Sequence, residues 1–193
     1  MSKANQPLVS IITLNWNSTA VTCDFLHSIT RHNTYKNIEV IVVDNASKEN
    51  PTSAFLAACP AATIICNPSN LGFSGGNNVG IRAAKGDYLF IVNNDTEFTP
   101  GLLEGLIEVF QHHPDAGIVC PKFQYYFEKG TIEYAGYKPV NIFTGRNAMI
   151  GFREKDEGQY NTITATQYAH GGGMMVPRHV IAKAGLMPEQ FFL

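Results

Sequence analysis

Apolar and polar stretches take turns along the first 120 residues. Leu8-Val9-Ser10-Ile11-Ile12-Thr13-Leu14 is a short β-branched run and reads as a buried strand. Asn17-Ser18-Thr19 supplies N-cap chemistry for a helix over about 19–32. Ile38-Glu39-Val40-Ile41-Val42-Val43-Asp44 is a second apolar strand, and Pro51 opens a helix containing Ala54, Phe55, Leu56 and Ala57. Thr63-Ile64-Ile65-Cys66 predicts a third strand. The pattern then predicts a helix over 73–84 that opens in a Gly/Asn-rich loop, and a fourth strand over 87–92. Pro100 opens a helix to about His112, and Gly117-Ile118-Val119-Cys120 predicts a fifth strand.

Five apolar strands alternating with helices predict an α/β fold with a parallel sheet. Strands this apolar belong to a sheet covered on both faces. After residue 121 the periodicity weakens and Tyr, Gly, Asn and Thr become frequent. Residues 122–168 read as loop-rich and mixed, with short strands expected at 131–135 and 164–169. A glycine triplet, Gly171-Gly172-Gly173, precedes Met174-Met175-Val176, and a short helix is expected over 178–184. There is no internal repeat and no low-complexity tract.

Composition narrows the class. The 193 residues carry 14 Lys+Arg against 16 Asp+Glu, and this near balance lacks the basic excess of a nucleic-acid binder. With 45% hydrophobic and 16% charged residues, the chain has the composition of a globular domain rather than a disordered segment. No apolar run approaches the ~20 residues that span a bilayer. The opening Met1-Ser2-Lys3-Ala4-Asn5-Gln6-Pro7 lacks the apolar centre of a signal peptide, so a cytoplasmic protein is expected. Cys23, Cys59, Cys66 and Cys120 form no C-x-x-C pair and read as free thiols.

In sheets of this kind ligands bind beyond the carboxyl ends of the strands. Those ends are Asn15-Trp16-Asn17, Asp44-Asn45-Ala46-Ser47, the loop from Asn67 to Asn78, and Asn93-Asn94-Asp95-Thr96-Glu97. All four carry short polar side chains, and the topology should bring them to one rim. Asn and Asp suit a base edge or sugar hydroxyls. The start of the helix near residue 73 directs N–H groups at the same rim and suits phosphate. Asp95 is a hard oxygen ligand for Mg²⁺ or Mn²⁺, which take one or two carboxylates plus substrate phosphate oxygens. Each feature alone is as readily a turn or a piece of core; their convergence carries the inference. There is no G-x-x-x-x-G-K-[ST], no G-x-G-x-x-G after the first strand and no G-x-S-x-G. P-loop, classical dinucleotide and α/β-hydrolase sites are thereby set aside.

The stretches from Val9 to Asn17, Val42 to Ser47, Asn70 to Gly80, Val92 to Asp95 and Gly171 to Arg178 together resemble the family 2 glycosyltransferases, with closest similarity to the rhamnosyltransferase-like branch. The resemblance implies the GT-A fold, a Rossmann-like, mostly parallel sheet flanked by helices with a mixed, loop-rich C-terminal part. Residues 1–121 would form the nucleotide-sugar-binding half, and 122–193 the start of the acceptor-side region, incomplete, within one continuous domain. It also implies a UDP- or dTDP-sugar donor. Asn15 would lie beside the nucleotide and Asp44 would hydrogen-bond the base or ribose. Asn70, Gly72, Gly75, Gly76, Asn77 and Asn78 would line the base and ribose side. Asn93 and Asn94 would contact the nucleotide-sugar, and Asp95 would hold the metal. His170, Gly171 and Gly172 would lie near the donor sugar and acceptor.

The implied reaction is inverting transfer to an acceptor hydroxyl of a glycan or lipid-linked acceptor, with a role in bacterial polysaccharide or cell-surface glycan synthesis. Peripheral contact with the inner face of the plasma membrane and a homo-oligomer are both compatible with it. Asn93 replaces the first acid of the family's D-x-D, so metal binding without nucleotide should be weak. The acidic segment that supplies the family's general base follows a Phe-Phe-x-Tyr motif, whereas this sequence stops at Gln190-Phe191-Phe192-Leu193. The base is therefore expected beyond Leu193, the chain is expected to be inactive alone, and the alternative is a non-catalytic nucleotide-sugar-binding module.

Overall fold

The computed structural model describes residues 6–190. The chain runs β1 (Val9–Asn15), α1 (Thr19–His32), β2 (Ile38–Asp44), α2 (Thr52–Ala58), β3 (Thr63–Cys66), α3 (Gly72–Ala83), β4 (Tyr88–Val92) and α4 (Leu102–His112). It continues through β5 (Phe123–Gln124), β6 (Ile132–Tyr134), β7 (Gly173–Pro177) and α5 (Arg178–Ala184). The main sheet has the order β3-β2-β1-β4-β7, parallel throughout except for antiparallel β7 on β4. This is the expected α/β fold with a mostly parallel central sheet flanked by helices.

Alternation along the strands divides the core in two. Val9, Ile11, Val40, Val42 and Phe90 face one side, where Phe25 and Leu26 of α1, Phe55 of α2, and Leu103, Leu106 and Phe110 of α4 cover them. Phe25 and Phe90 each meet Phe98 edge-on, with centroids 5.8 and 5.9 Å apart. Ile12, Ile41, Val43, Leu89 and Ile91 face the other side, beneath Ile81 of α3 and Ile181 of α5. The parallel strands are thus apolar on both faces, as their sequences predict.

Two expected strands differ. Residues 117–120 make no strand: Val119 exchanges one pair of hydrogen bonds with Met175 (3.0 and 2.8 Å) and the pairing stops. Pro121 follows without an N–H to extend a ladder, and the place beside β4 belongs to β7. The sheet's fifth strand therefore arrives from far along the chain and runs antiparallel. Residues 164–169 are irregular as well. The strand that begins at β6 pairs on one edge with β5, while its other edge is taken by 148–154, through Ile132 N to Glu154 O (2.8 Å) and Lys138 N to Ala148 O (2.9 Å). The 164–169 segment touches it through a side chain, Thr166 Oγ1 accepting from Tyr137 N at 2.8 Å. The strand expected at 131–135 is present as β6.

His170 joins the two sheets. Its ring stacks on Phe123 and packs against Tyr134, with centroids 4.9 and 4.5 Å away. Its Nδ1 accepts from Gly172 N at 2.9 Å, and Gly172 O accepts from Asn93 N at 3.0 Å. The glycine triplet is thereby fixed against the end of β4.

Two predictions come from this packing. A Cβ at Gly80 would overlap Ile12 Cγ2 and lie 3.3 Å from Val43 Cγ2. Alanine gains about 1 kcal/mol in helix propensity, but overpacking costs ~1–3 kcal/mol. Gly80→Ala is therefore expected to lower the urea midpoint, and an unchanged or raised midpoint would show that α3 does not rest on β1. Burial holds His170 below its ordinary 6.5, partly opposed by the Glu133 carboxylate. The unfolded chain then binds the extra proton first as pH falls, so stability should decline as pH drops through 6.5 and level off below the folded value. His170→Phe keeps an aromatic ring and should flatten this part of the pH-stability curve, whatever it does to absolute stability.

Candidate functional site

The carboxyl ends of β1, β2 and β4 do meet at one rim, with the start of α3 beside them. They form a cleft of about 280 Å³ whose lining includes Asn15, Trp16, Asn45, Asn70, Gly72, Phe73, Asn93, Asn94 and Asp95. A larger hollow of about 800 Å³ lies between α4, residues 115–122 and the 160–169 loop. It contains none of the strand-end residues, so convergence of polar groups, not volume, locates the candidate site.

Register builds the rim. Asn15 and Asp44 are direct partners across β1 and β2. Asn15 Nδ2 donates to Asp44 Oδ1 at 2.7 Å and to Ser47 Oγ at 3.0 Å. Ala46 turns the chain in the left-handed region (φ 62°), which returns Ser47 to Asp44. Ser47 N donates to Oδ2 at 3.0 Å and Ser47 Oγ to Oδ1 at 2.6 Å. Asp44 is 3% exposed and is outside the cleft lining. A charge buried this far needs several donors, and Asn15 and Ser47 provide three.

The neighbouring Asn45 lines the cleft and organises the 67–72 loop. Its Nδ2 donates to Asn70 Oδ1 (2.9 Å) and Gly72 O (3.1 Å), and its Oδ1 accepts from Asn67 Nδ2 (3.0 Å) and Leu71 N (3.2 Å). Gly72 adopts φ 69°, a conformation that favours glycine, and its N–H donates to Asn70 Oδ1 at 2.8 Å. The first turn of α3 is thus presented to the cleft at Gly72 and Phe73.

The remaining members of the α3 motif point elsewhere. Gly75 packs beneath Leu71, and Gly76 beneath Leu14 and Asn45. Asn77 Nδ2 donates to Phe73 O at 3.0 Å within the helix. Asn78 clamps the 187–189 segment: its Nδ2 donates to Met187 O (2.9 Å) and Glu189 Oε1 (2.8 Å), and its Oδ1 accepts from Met187 N (3.0 Å). These four hold the helix and the segment behind it, and the cleft wall is made without them.

On β4, Asn94 Nδ2 donates to Thr22 Oγ1 at 2.8 Å, and Thr22 Oγ1 donates to Asn15 Oδ1 at 2.8 Å. Asp95 is exposed at the cleft mouth. Glu97 stands 4.0 Å from His32 and is not part of the lining. Gly172 reaches Asn93 through the backbone, while the His170 ring is held in the aromatic cluster. Among the described residues no three His, Cys, Asp or Glu side chains group as a metal cage. One exposed carboxylate beside a helix start fits an ion that takes its other ligands from a diphosphate and water. It does not fit a self-sufficient metal site.

Thr22, Ser47 and Asn45 were not singled out by sequence reasoning. Thr22 had a readable signal, being a polar residue on the buried α1 face formed with Phe25, Leu26, Ser28 and Ile29. Asn45 and Ser47 lie inside the quoted motif but gain their roles only from the left-handed turn at Ala46.

Comparison with known proteins agrees with this architecture. An uncharacterized glycosyltransferase of Haemophilus influenzae is 34% identical over 112 residues, covering 58% of this chain and 37% of that protein. The mannosyltransferase PcManGT from Pyrobaculum calidifontis, solved with GDP-Man and Mn²⁺, superposes with a TM-score of 0.66 at 20% identity, over 96% of this chain and 49% of its own. S. aureus TarS 1-349 with UDP superposes with a TM-score of 0.64 at 17% identity, over 94% of this chain and 50% of its own. The chain thus spans half or less of the length of each of these proteins. No helix among the described residues is long and apolar enough to cross a membrane. The profile of glycosyl transferase family 2 matches residues 10–183, and the chain belongs to that family.

Proposed function

We propose that the chain carries the donor site of an inverting glycosyltransferase that uses a UDP- or dTDP-sugar. The carrying observation is the cleft itself, in which Asn15, Asn45, Asn93 and Asn94 meet Asp95 and the start of α3. In this reading the base and ribose lie along the asparagines, and the half-exposed indole of Trp16 offers a face for stacking. The first turn of α3 and Asp95 face the diphosphate side. Nucleotide complexes of the structural relatives, one with GDP-Man and Mn²⁺ and one with UDP, support a nucleotide ligand for this fold.

Asp95 is the residue suited to hold Mg²⁺ or Mn²⁺ together with the donor. Such an ion offsets charge on the departing diphosphate. With a single carboxylate in the cleft, ion and nucleotide should bind together and each poorly alone. The acceptor in this proposal is a glycan or lipid-linked hydroxyl that attacks the anomeric carbon opposite the leaving group. Exposed side chains at two loop apices, Phe127 and the Ile142–Phe143 pair, support contact with an apolar surface during that reaction.

Thermal-shift titration with UDP, dTDP and GDP, each with and without Mn²⁺, tests the donor site. Ligand binding to the folded state alone stabilises it by about 2.7 kcal/mol at a hundredfold excess over Kd. The expected result is a Mn²⁺-dependent shift with UDP or dTDP that Asp95→Ala abolishes. A shift with GDP alone would replace the pyrimidine assignment, and no shift with any nucleotide would sink the donor-site reading.

A further inference from the structure

A carboxylate accepts hydrogen bonds and donates none. That fact fixes the direction of every bond in the chain of side chains that crosses the rim. Asp44 Oδ1 lies 2.7 Å from the Asn15 amide, so the NH₂ of Asn15 faces Asp44 and its oxygen faces Thr22, 2.8 Å away. An amide oxygen only accepts, so Thr22 spends its single hydroxyl proton on Asn15. Thr22 Oγ1 can then only accept from Asn94, and the Asn94 NH₂ must face it at 2.8 Å. The two ends of an asparagine amide are nearly equal in shape, so sterics alone would not choose between them. The choice at Asn94 is made by a buried anion two side chains away. Asn94 lines the cleft, and no hydrogen bond among the described residues uses its Oδ1.

We propose that Asp44 and Thr22 are positioning residues that act through Asn15 to lock the Asn94 amide, so that the cleft offers its ligand a carbonyl acceptor at that point. The group this suits is a hydroxyl donor on the sugar portion of a nucleoside diphosphate. The ligand half of the inference rests on the nucleotide-sugar reading; the polarity of the relay does not.

The relay can be reversed on purpose. Asp44→Asn lets residue 44 donate, which allows Asn15 to turn over and Thr22 to point its proton at residue 94. Asn94→Asp supplies an acceptor there. Alone, each change faces a lone pair with a lone pair, or leaves the fixed end uncharged, and should lower Tm. Together they satisfy every link again. The double variant is expected to recover most of the summed Tm loss, although the two side chains do not touch. Distant, independent sites add instead, and additive losses would overturn the relay. Simple repulsion between two carboxylates could also couple these sites, so the cycle is repeated with Thr22→Val. That change cuts the relay but leaves any repulsion, and coupling that survives it would overturn the proposal.

Isothermal titration of UDP with Mn²⁺ reads the ligand half. Thr22→Ser should bind as the parent does. Thr22→Val releases a side chain that was already ordered and should weaken UDP by roughly two- to tenfold. Unchanged affinity in Thr22→Val, with the Tm coupling present, would remove Asn94 from the ligand contacts. A parent chain that binds no nucleotide would overturn the donor reading and this ligand half, while the Tm cycle still decides the relay.

Discussion

A buried carboxylate has to be surrounded by donors, and at the rim of this sheet that requirement organises what surrounds it. Asp44 sits at the end of β2 in register with Asn15 at the end of β1. To supply its donors the chain turns left-handed at Ala46 and brings back Ser47. Asn15 supplies another donor, and its own oxygen then recruits Thr22 from α1 and, through it, Asn94 from β4. Three strand-end segments and one helix are thus aligned by one charge.

The loop opposite is aligned by a neutral counterpart. Asn45 has no charge to hide, but its amide is fully used by the 67–72 loop, which sets Gly72 and the first turn of α3 at the cleft edge. Adjacent residues 44 and 45 therefore divide the labour, one facing inward to the relay and one toward the start of α3. The third wall is backbone: Gly172 O meets Asn93 N, and the aromatic cluster around His170 keeps it there. Membership of glycosyl transferase family 2 gives this arrangement its context.

The sheet itself was legible because its signal is local. Apolar β-branched runs of four to seven residues, broken by cap and turn residues, gave β1 to β4 and α1 to α4 within a residue or two. The failures came where strand identity depends on a partner. Residues 117–120 have strand composition, yet Pro121 and competition from β7 leave them one bridge. Residues 164–169 have β-branched side chains, but the edge they would need is already paired with 148–154.

The candidate site divides in the same way. The amino-acid sequence by itself determined that short polar residues end four strands, that a parallel sheet gathers such ends on one rim, and that Asp95 among them is a hard oxygen ligand suited to Mg²⁺ or Mn²⁺. Tertiary structure decided which of those residues face the cleft. Asp44, Gly75, Gly76, Asn77 and Asn78 share motifs with the lining residues but are spent on packing and buried hydrogen bonds. Thr22, seven residues from Asn15 and on a helix, enters the rim network instead. A sequence records which side chains can donate or accept, whereas the direction of each hydrogen bond is fixed only when folding brings the donors around a buried anion.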